Sequence, residues 1–250
     1  MTPKPSQPAI NLPLSITVLA GIMIAIHMIR SLLLSPSLDL DVLVLFAFIP
    51  LRYVATEQSL VTFPGGFGAD IWTFLSYAFL HGGVMHLMMN MLWMAIFGTA
   101  VAWRFGAVRF LLFSAICAIM GAAAHLLTNW GDSVPTVGAS AAISGHMAGA
   151  IRFVFAADGP LGAFRRKDKA AYMSPAVPLR QALANRQVLT FLAIWFGINL
   201  VFGLLGGAVV GGGGSIAWQA HIGGFLAGLL LFGVFDPIGK KPKYQGPHLV

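Results

Sequence analysis

The stretch Ala220-His221-Ile-Gly-Gly-Phe-Leu-Ala-Gly228 decides how this chain folds. Small residues recur in it every four positions, at Ala220, Gly224 and Gly228, so they lie along one face of a helix. In a membrane, such a face lets a second helix approach closely. The stretch belongs to an apolar run, 216–235, that is long enough to cross a bilayer. The pattern therefore predicts helices that pack through small residues inside a membrane.

The composition extends this prediction to the whole chain. Of its 250 residues, 58% are hydrophobic and 9% are charged, whereas a soluble domain has about 25% charged residues. Apolar runs of roughly 18 residues or more predict six spans, and hence an all-α membrane protein. The spans cover residues 14–34, 74–99, 107–127, 138–157, 188–205 and 216–235.

The positions of the cations predict the orientation. Most of them fall between spans two and three, between spans four and five, and after span six. Cytoplasmic loops carry an excess of Lys and Arg, so these segments are predicted to be cytoplasmic, together with both termini. The net charge of +7 is thus a topology signal, and we expect membrane lipids and no nucleic acid as partners. The predicted division is a short cytoplasmic segment 1–13, a six-helix membrane domain 14–236 and a basic cytoplasmic tail 237–250.

Two predicted connections are long. Residues 35–73 contain an apolar run, Val42–Pro50, that is too short to span and indicates a re-entrant or interfacial segment on the outer side. Residues 158–187 form a basic cytoplasmic loop, interpreted as a solvated connector. The single Cys117 lies mid-span and is assigned to packing, so no disulfide framework is implied.

The fourth span opens with Thr136-Val-Gly-Ala-Ser140. Gly138 allows a tight turn into the helix, and it places Ser140 in the first turn, where free N–H groups and the positive end of the helix dipole favour negative charge. Ser140 is therefore a candidate nucleophile, although it could simply cap the helix. Ser144 lies one turn deeper, away from those N–H donors, and is the weaker candidate.

His221 lies near the start of span six, on the same predicted side as Ser140. Close packing of the two spans would bring its imidazole within hydrogen-bond reach of the serine hydroxyl, and an imidazole is the natural base for a hydroxyl. All eight Asp and Glu residues fall in loops or at span ends, so none is placed to orient His221. A Ser/His dyad is the more economical prediction.

Other polar residues fall within or beside the spans. His86 and Asn90 are four apart, share one helix face, and could donate hydrogen bonds to an oxyanion; the alternative is an interhelical polar clasp. His81 points elsewhere and is assigned to possible support of the outer loop. The remaining ones lack a convincing partner and are assigned to packing or interfacial roles. They are His27, His125, His146 and Asn199.

Three motifs, in this order and spacing, resemble those of the rhomboid family of intramembrane serine proteases over about residues 40–236. The resemblance implies a six-transmembrane-helix rhomboid-like bundle, with a short central serine helix and a partly embedded first outer loop at 38–71. The motifs are His81…His86-x-x-x-Asn90, Gly138-Ala-Ser140 and Ala220-His221-x-Gly-Gly-Phe-x-x-Gly228.

By position, the resemblance implies that Ser140 is the nucleophile and His221 the general base, with His86 and Asn90 at the oxyanion site. It also makes span five, with Trp195 and Phe196, the candidate gate for a substrate helix.

This sequence departs from the family pattern at two places. It has Ala141 where the family usually has glycine, and Trp72-Thr73 where the family has Trp-Arg. Neither departure removes a predicted catalytic group.

The resulting expectation is an intramembrane serine endopeptidase that needs no metal or cofactor and cleaves transmembrane protein substrates, in a bacterial inner membrane. One alternative is a catalytically inactive rhomboid-like protein that binds membrane clients, although such relatives typically lack the serine or the histidine. Another is a small transporter with a proton relay of His81, His86 and His221; it would be expected to carry an intramembrane carboxylate or a broken-helix repeat. The sequence leaves the substrate and the oligomeric state open.

Overall fold

The computed structural model describes residues 12–54, 62–161, 169–209 and 217–238. Most of the predicted segments 1–13 and 237–250 lies outside these residues, as do Glu57 and the basic run 165–167. The described ranges form helices, turns and one isolated antiparallel bridge, between Phe48 and Thr136.

Ten α-helices follow one another in the described part of the chain. A π-helical turn, Met94–Gly98, joins α4 to α5, and short 3-10 turns occur at Pro50–Tyr53, Tyr77–Phe79 and Lys169–Met173. The helices are α1 (Leu14–Leu32), α2 (Pro36–Phe46), α3 (Gly66–Ser76), α4 (Val84–Trp93), α5 (Thr99–Phe105), α6 (Ala107–Thr128), α7 (Ser140–Ala150), α8 (Leu179–Ala184), α9 (Arg186–Val209) and α10 (Trp218–Phe235).

Four helical stretches are long and apolar enough to cross a membrane, and α9 adds a shorter apolar stretch, Arg186–Val201. This architecture is that of a multi-pass membrane protein; the count of six spans stays a prediction. The four stretches are Leu14–Leu32, Val84–Phe105, Ala107–Thr128 and Trp218–Phe235.

Two predicted spans have wrong boundaries. The second predicted span, 74–99, begins too early: α4 starts only at Val84, because a 3-10 turn and the pair Gly82-Gly83 interrupt the helix before it. The fourth, 138–157, is too long: α7 has 11 residues, about 16 Å at about 1.5 Å per residue, against the roughly 30 Å of a bilayer core. Residues 151–161 form turns instead of helix. Most of them are apolar, and hydropathy alone does not distinguish an apolar turn from an apolar helix.

Glycines set the central packing of α10 against α7 and α6. A Cβ added at Gly224 would overlap the backbone of Ala141, and one added at Gly228 would overlap the backbone of Gly145. Gly145 in turn leaves no room for a side chain beside Cys117 of α6. The predicted contact of two small-residue faces is confirmed, and the helix backbones approach each other directly.

The first loop is folded and attached to the segment that leads into α7. Phe48 is fully buried and exchanges backbone hydrogen bonds with Thr136, at 3.1 and 2.8 Å. Trp72 Nε1 donates to the Leu45 carbonyl at 3.0 Å, and Arg52 Nη2 donates to the Val44 carbonyl at 2.5 Å. In this chain the end of α2 is therefore anchored by a tryptophan and an arginine that are far apart in sequence.

Near the C-terminal end of α5, the fully buried Arg104 joins three parts of the chain. Its guanidinium pairs with Asp236, just after α10, at 2.9 Å. It also donates to the carbonyls of Tyr172 and Ser174, at 2.8 and 2.7 Å. The prediction that 158–187 is only a solvated connector is therefore wrong for its described residues around 171–174, because a buried arginine needs these acceptors.

Candidate active site

Ser140 is the first residue of α7. Gly138 has φ 118°, a backbone conformation that favours glycine, and its N–H donates to the Tyr77 carbonyl at 3.0 Å. The first backbone bond into α7 runs from the Ile143 N–H to the Ala139 carbonyl, at 3.0 Å. The N–H groups of Ser140, Ala141 and Ala142 precede this bond and have no acceptor within the helix, so they point out of the end of the helix at which the serine hydroxyl lies.

The structure brings His221 to this hydroxyl. His221 Nε2 of α10 lies 2.7 Å from Ser140 Oγ, across the glycine contact between α7 and α10. The hydroxyl of Ser144, in contrast, donates to the Ser140 carbonyl at 2.7 Å. It is therefore engaged within its own helix.

The second nitrogen of His221 has a partner that the sequence reasoning missed. Its Nδ1 hydrogen-bonds to Asn199 Oδ1 of α9, and Asn199 is buried, with 6% of its surface exposed. The expectation that Asn199 lacks a convincing partner is wrong. A signal was present, because a lone side-chain amide in an apolar span is by default a functional candidate.

His86 packs against the turn that precedes Ser140. A Cβ added at Gly138 would lie 2.7 Å from His86 Nε2, so the glycine is needed for space as well as for its φ. The Gly82 N–H donates to His86 Nδ1 at 3.4 Å. In a neutral ring the proton then resides on Nε2, the nitrogen that faces the serine turn.

Asn90 is buried one turn further along α4. Its Nδ2 donates to the His86 carbonyl at 2.9 Å, a contact within its own helix. The second amide hydrogen is not used by that bond. This geometry fits both a donor to an oxyanion and a polar clasp, so the role of Asn90 stays a prediction.

His81 lies beside these residues. It is buried, and its ring meets that of His86 edge-on, with the centroids 5.2 Å apart. Its carbonyl accepts from Arg30 Nη1 at 3.1 Å, and Arg30 pairs with Asp39 of α2 at 2.7 Å. The backbone of His81 thus contacts α1 and, through Arg30, the first loop; the supporting role of its side chain stays a prediction.

Three further histidines have hydrogen-bond partners, against expectation. His125 Nε2 lies 3.0 Å from Thr136 Oγ1, which ties α6 to the segment before Ser140. His146 Nε2 lies 2.7 Å from Ser114 Oγ. His27 Nε2 is 3.5 Å from Ser31 Oγ, a contact within α1.

Across the ranges that the structure describes, no group of three or more His, Cys, Asp or Glu could hold a metal ion.

A family model described as the Rhomboid domain matches residues 68–236. RHOMBOID-like protein 4 of Arabidopsis thaliana is 30% identical over 166 residues, which are 66% of this chain and 34% of that protein. Rhomboid protease GlpG of Yersinia pestis and of Yersinia pseudotuberculosis is 24% identical over 162 residues, 65% of this chain and 47% of each relative. This chain therefore spans about a third to a half of the length of these relatives. The match over most of the chain confirms the resemblance: the protein is a multi-pass integral membrane protein that belongs to the rhomboid family.

Proposed function

We propose that this protein is an active intramembrane serine endopeptidase that cleaves peptide bonds in or near the transmembrane segments of other membrane proteins. The observation that carries the proposal is the 2.7 Å contact between Ser140 Oγ and His221 Nε2, at the N-terminus of a short helix inside a membrane bundle. A nucleophile next to a base, with free N–H groups beside it, is the arrangement that acyl transfer requires.

In the proposed reaction Ser140 Oγ attacks the scissile carbonyl while His221 Nε2 accepts the hydroxyl proton. The imidazolium then gives this proton to the leaving amine, and the C–N bond breaks to leave an acyl-serine. A water molecule, deprotonated by His221, releases the acid and restores the serine. No metal or cofactor takes part in these steps.

The negative charge of the tetrahedral intermediate would lie near the start of α7. The backbone N–H of Ser140 and the positive end of the helix dipole favour an anion there. We assign His86 and Asn90 to the same site as side-chain donors. The support for this assignment is the contact of His86 with Gly138 and the position of Asn90 one turn away on α4.

The proposed topology has six membrane helices, with α7 and α9 added to the four long stretches, and both termini in the cytoplasm. The domain would cover residues 14–236, between a cytoplasmic segment 1–13 and a tail 237–250. The proposed location is a bacterial inner membrane, with membrane lipids and transmembrane substrates as partners. The support for the orientation is the distribution of Lys and Arg along the chain.

The second candidate is a rhomboid-like protein that binds clients without cleaving them. Reaction of the purified full chain with a fluorophosphonate probe separates the two, because the probe labels only an activated serine. We expect labelling of the parent and of Ser144→Ala, and none of Ser140→Ala. A folded parent that stays unlabelled would favour the inactive protein, and labelling lost in Ser144→Ala but kept in Ser140→Ala would make Ser144 the nucleophile.

A further inference from the structure

We infer that Asn199 is a positioning residue for the catalytic base: its carboxamide holds the His221 ring in the tautomer and orientation that let Nε2 accept the Ser140 proton. The inference deepens the proposed function and rests on it. Three helices would then contribute to the reaction, with the nucleophile on α7, the base on α10 and the residue that orients the base on α9.

The orientation of the Asn199 amide follows from its two contacts. Nδ2 donates to the Trp195 carbonyl at 2.7 Å, one helical turn earlier. A carbonyl can only accept, so turning the amide over would place Oδ1 against another acceptor. The amide nitrogen therefore faces Trp195, and Oδ1 faces His221 Nδ1.

The tautomer of His221 follows in turn. Because Asn199 Oδ1 can only accept, His221 Nδ1 must carry a proton. In the neutral ring Nε2 then has its lone pair directed at Ser140 Oγ, 2.7 Å away. Without Oδ1, the ring could place its proton on Nε2, and it would then compete with the serine as a donor instead of accepting from it.

The inner face of α9 holds the amide in place. Val188 and Leu192 are buried on this face, and the Trp195 ring stacks on Phe225 of α10 with the centroids 5.2 Å apart. Asn199 continues the same face at helical spacing. At its start, α9 is capped by Asn185, whose Oδ1 accepts from the Gln187 N–H at 2.8 Å.

An amide is also the appropriate chemical group for this position. A carboxylate at the same place would need compensation for its burial among apolar helices, and no cation contacts Asn199 in the described part of the chain. An amide oxygen fixes the imidazole direction without that requirement. This explains how the site can have an orienting residue although the sequence has no carboxylate within a predicted span.

The test uses the purified full chain and three variants. Asn199→Leu removes the acceptor at similar volume, Asn199→Asp restores an acceptor oxygen, and Ile198→Ala changes the exposed neighbour on the outer face of α9. Loss of the proper orienting group of a triad histidine costs up to about 10⁴-fold in kcat. For an uncharged amide we expect Asn199→Leu to lower kcat by about 10–10²-fold with little change in KM, Asn199→Asp to recover much of that loss, and Ile198→Ala to match the parent.

Two results would overturn the inference. One is a folded Asn199→Leu variant with the kcat of the parent. The other is an equal loss of kcat in the Leu and Asp variants that follows their loss of thermal stability, which would mark Asn199 as a structural residue. If neither variant folds, ¹⁵N NMR of histidine-labelled parent still decides, since an Nε2–H tautomer at His221 would contradict the inference. A parent that the fluorophosphonate probe does not label would instead overturn the proposed function.

Discussion

The molecule contains two serine–histidine contacts of the same length, and they differ in what they can do. In the first, called the outer pair, Ser140 Oγ lies 2.7 Å from His221 Nε2 near one end of the bundle. In the second, called the inner pair, Ser114 Oγ lies 2.7 Å from His146 Nε2 in the interior of the bundle. Both pairs join two helices, and both use the same two atom types. The difference between them comes from the second partner of each group.

In the inner pair, the serine hydroxyl already donates its proton to a backbone carbonyl. Ser114 Oγ donates to the Phe110 carbonyl of its own helix at 2.7 Å, so it must accept from His146 Nε2–H. His146 is 2% exposed, and its Nδ1 has no hydrogen-bond partner in the described residues. Nothing there activates the hydroxyl, because its lone pair, and not its proton, faces the imidazole.

In the outer pair, the direction is reversed. Asn199 requires a proton on His221 Nδ1, so Nε2 is the acceptor and Ser140 the donor. Ser140 also begins its helix, whereas Ser114 lies within α6. A short serine–histidine distance is therefore not enough to propose a catalytic pair; the proposal also rests on the direction of the proton and on the position of the serine in its helix.

The largest expected effect separates the two pairs. We expect His221→Ala to lower the cleavage rate of a transmembrane substrate by about 10⁴-fold or more, as loss of a catalytic histidine does in other serine proteases. Ser114→Ala should keep the rate within a few-fold, but it should cost about 1–3 kcal/mol of unfolding free energy, because His146 loses its acceptor. Cleavage in proteoliposomes and thermal unfolding measure the two quantities. A folded Ser114→Ala variant without activity would contradict the comparison.

A smaller effect is expected at Asn90, which the proposed function assigns to the oxyanion site of the outer pair. Loss of one oxyanion donor typically costs about 10²–10³ in kcat. Asn90→Ala should therefore lower turnover by that factor while substrate binding changes little, which a full kinetic titration would measure. Unchanged turnover with a lowered melting temperature would assign Asn90 to the polar clasp instead.

The smallest effect is expected at Ala141, next to the nucleophile. A Cβ added at Gly121 would lie 2.5 Å from the Ala141 Cβ, so the Ala141 methyl group lies over Gly121 of α6. Ala141→Gly should thus keep activity within a few-fold, whereas Ala141→Val would displace α6. A displacement of about 1 Å near the site costs roughly 10²-fold in rate. Parent-like cleavage by Ala141→Val would show that this contact is loose.

The sequence predicts the helix contact at the site but not its details. The four-residue spacing of Ala220, Gly224 and Gly228 requires a close neighbour in a membrane, and only a segment of small residues such as that of α7 can supply it. The spacing does not assign a partner to each small residue: Gly223 packs on Ala124 and Met120 of α6, whereas Gly224 meets the Ala141 backbone. Small-residue periodicity identifies a face, but it does not give the rotation of the partner helix.

The hydrogen-bond partners of the buried polar residues were also outside the reach of the sequence. Asn199 and His146 lie among apolar neighbours in their helices, and their partners are 22 and 32 residues away. Which residues meet depends on helix rotation and depth, and these are set by packing against neighbours. The sequence also predicts too long a helix for α7, because buried turns and buried helix can have the same hydropathy.

The contact between Ser140 and His221 has a consequence for biosynthesis. The two residues are 81 positions apart, and the ribosome adds about 5–20 residues per second. For about 4–16 s a nascent chain therefore carries the serine without its base, and Asn199 emerges before the histidine that it contacts. A chain arrested in this interval has the proposed nucleophile but not the proposed base, so on the proposed mechanism hydrolytic competence would arise only when α10 joins the other helices.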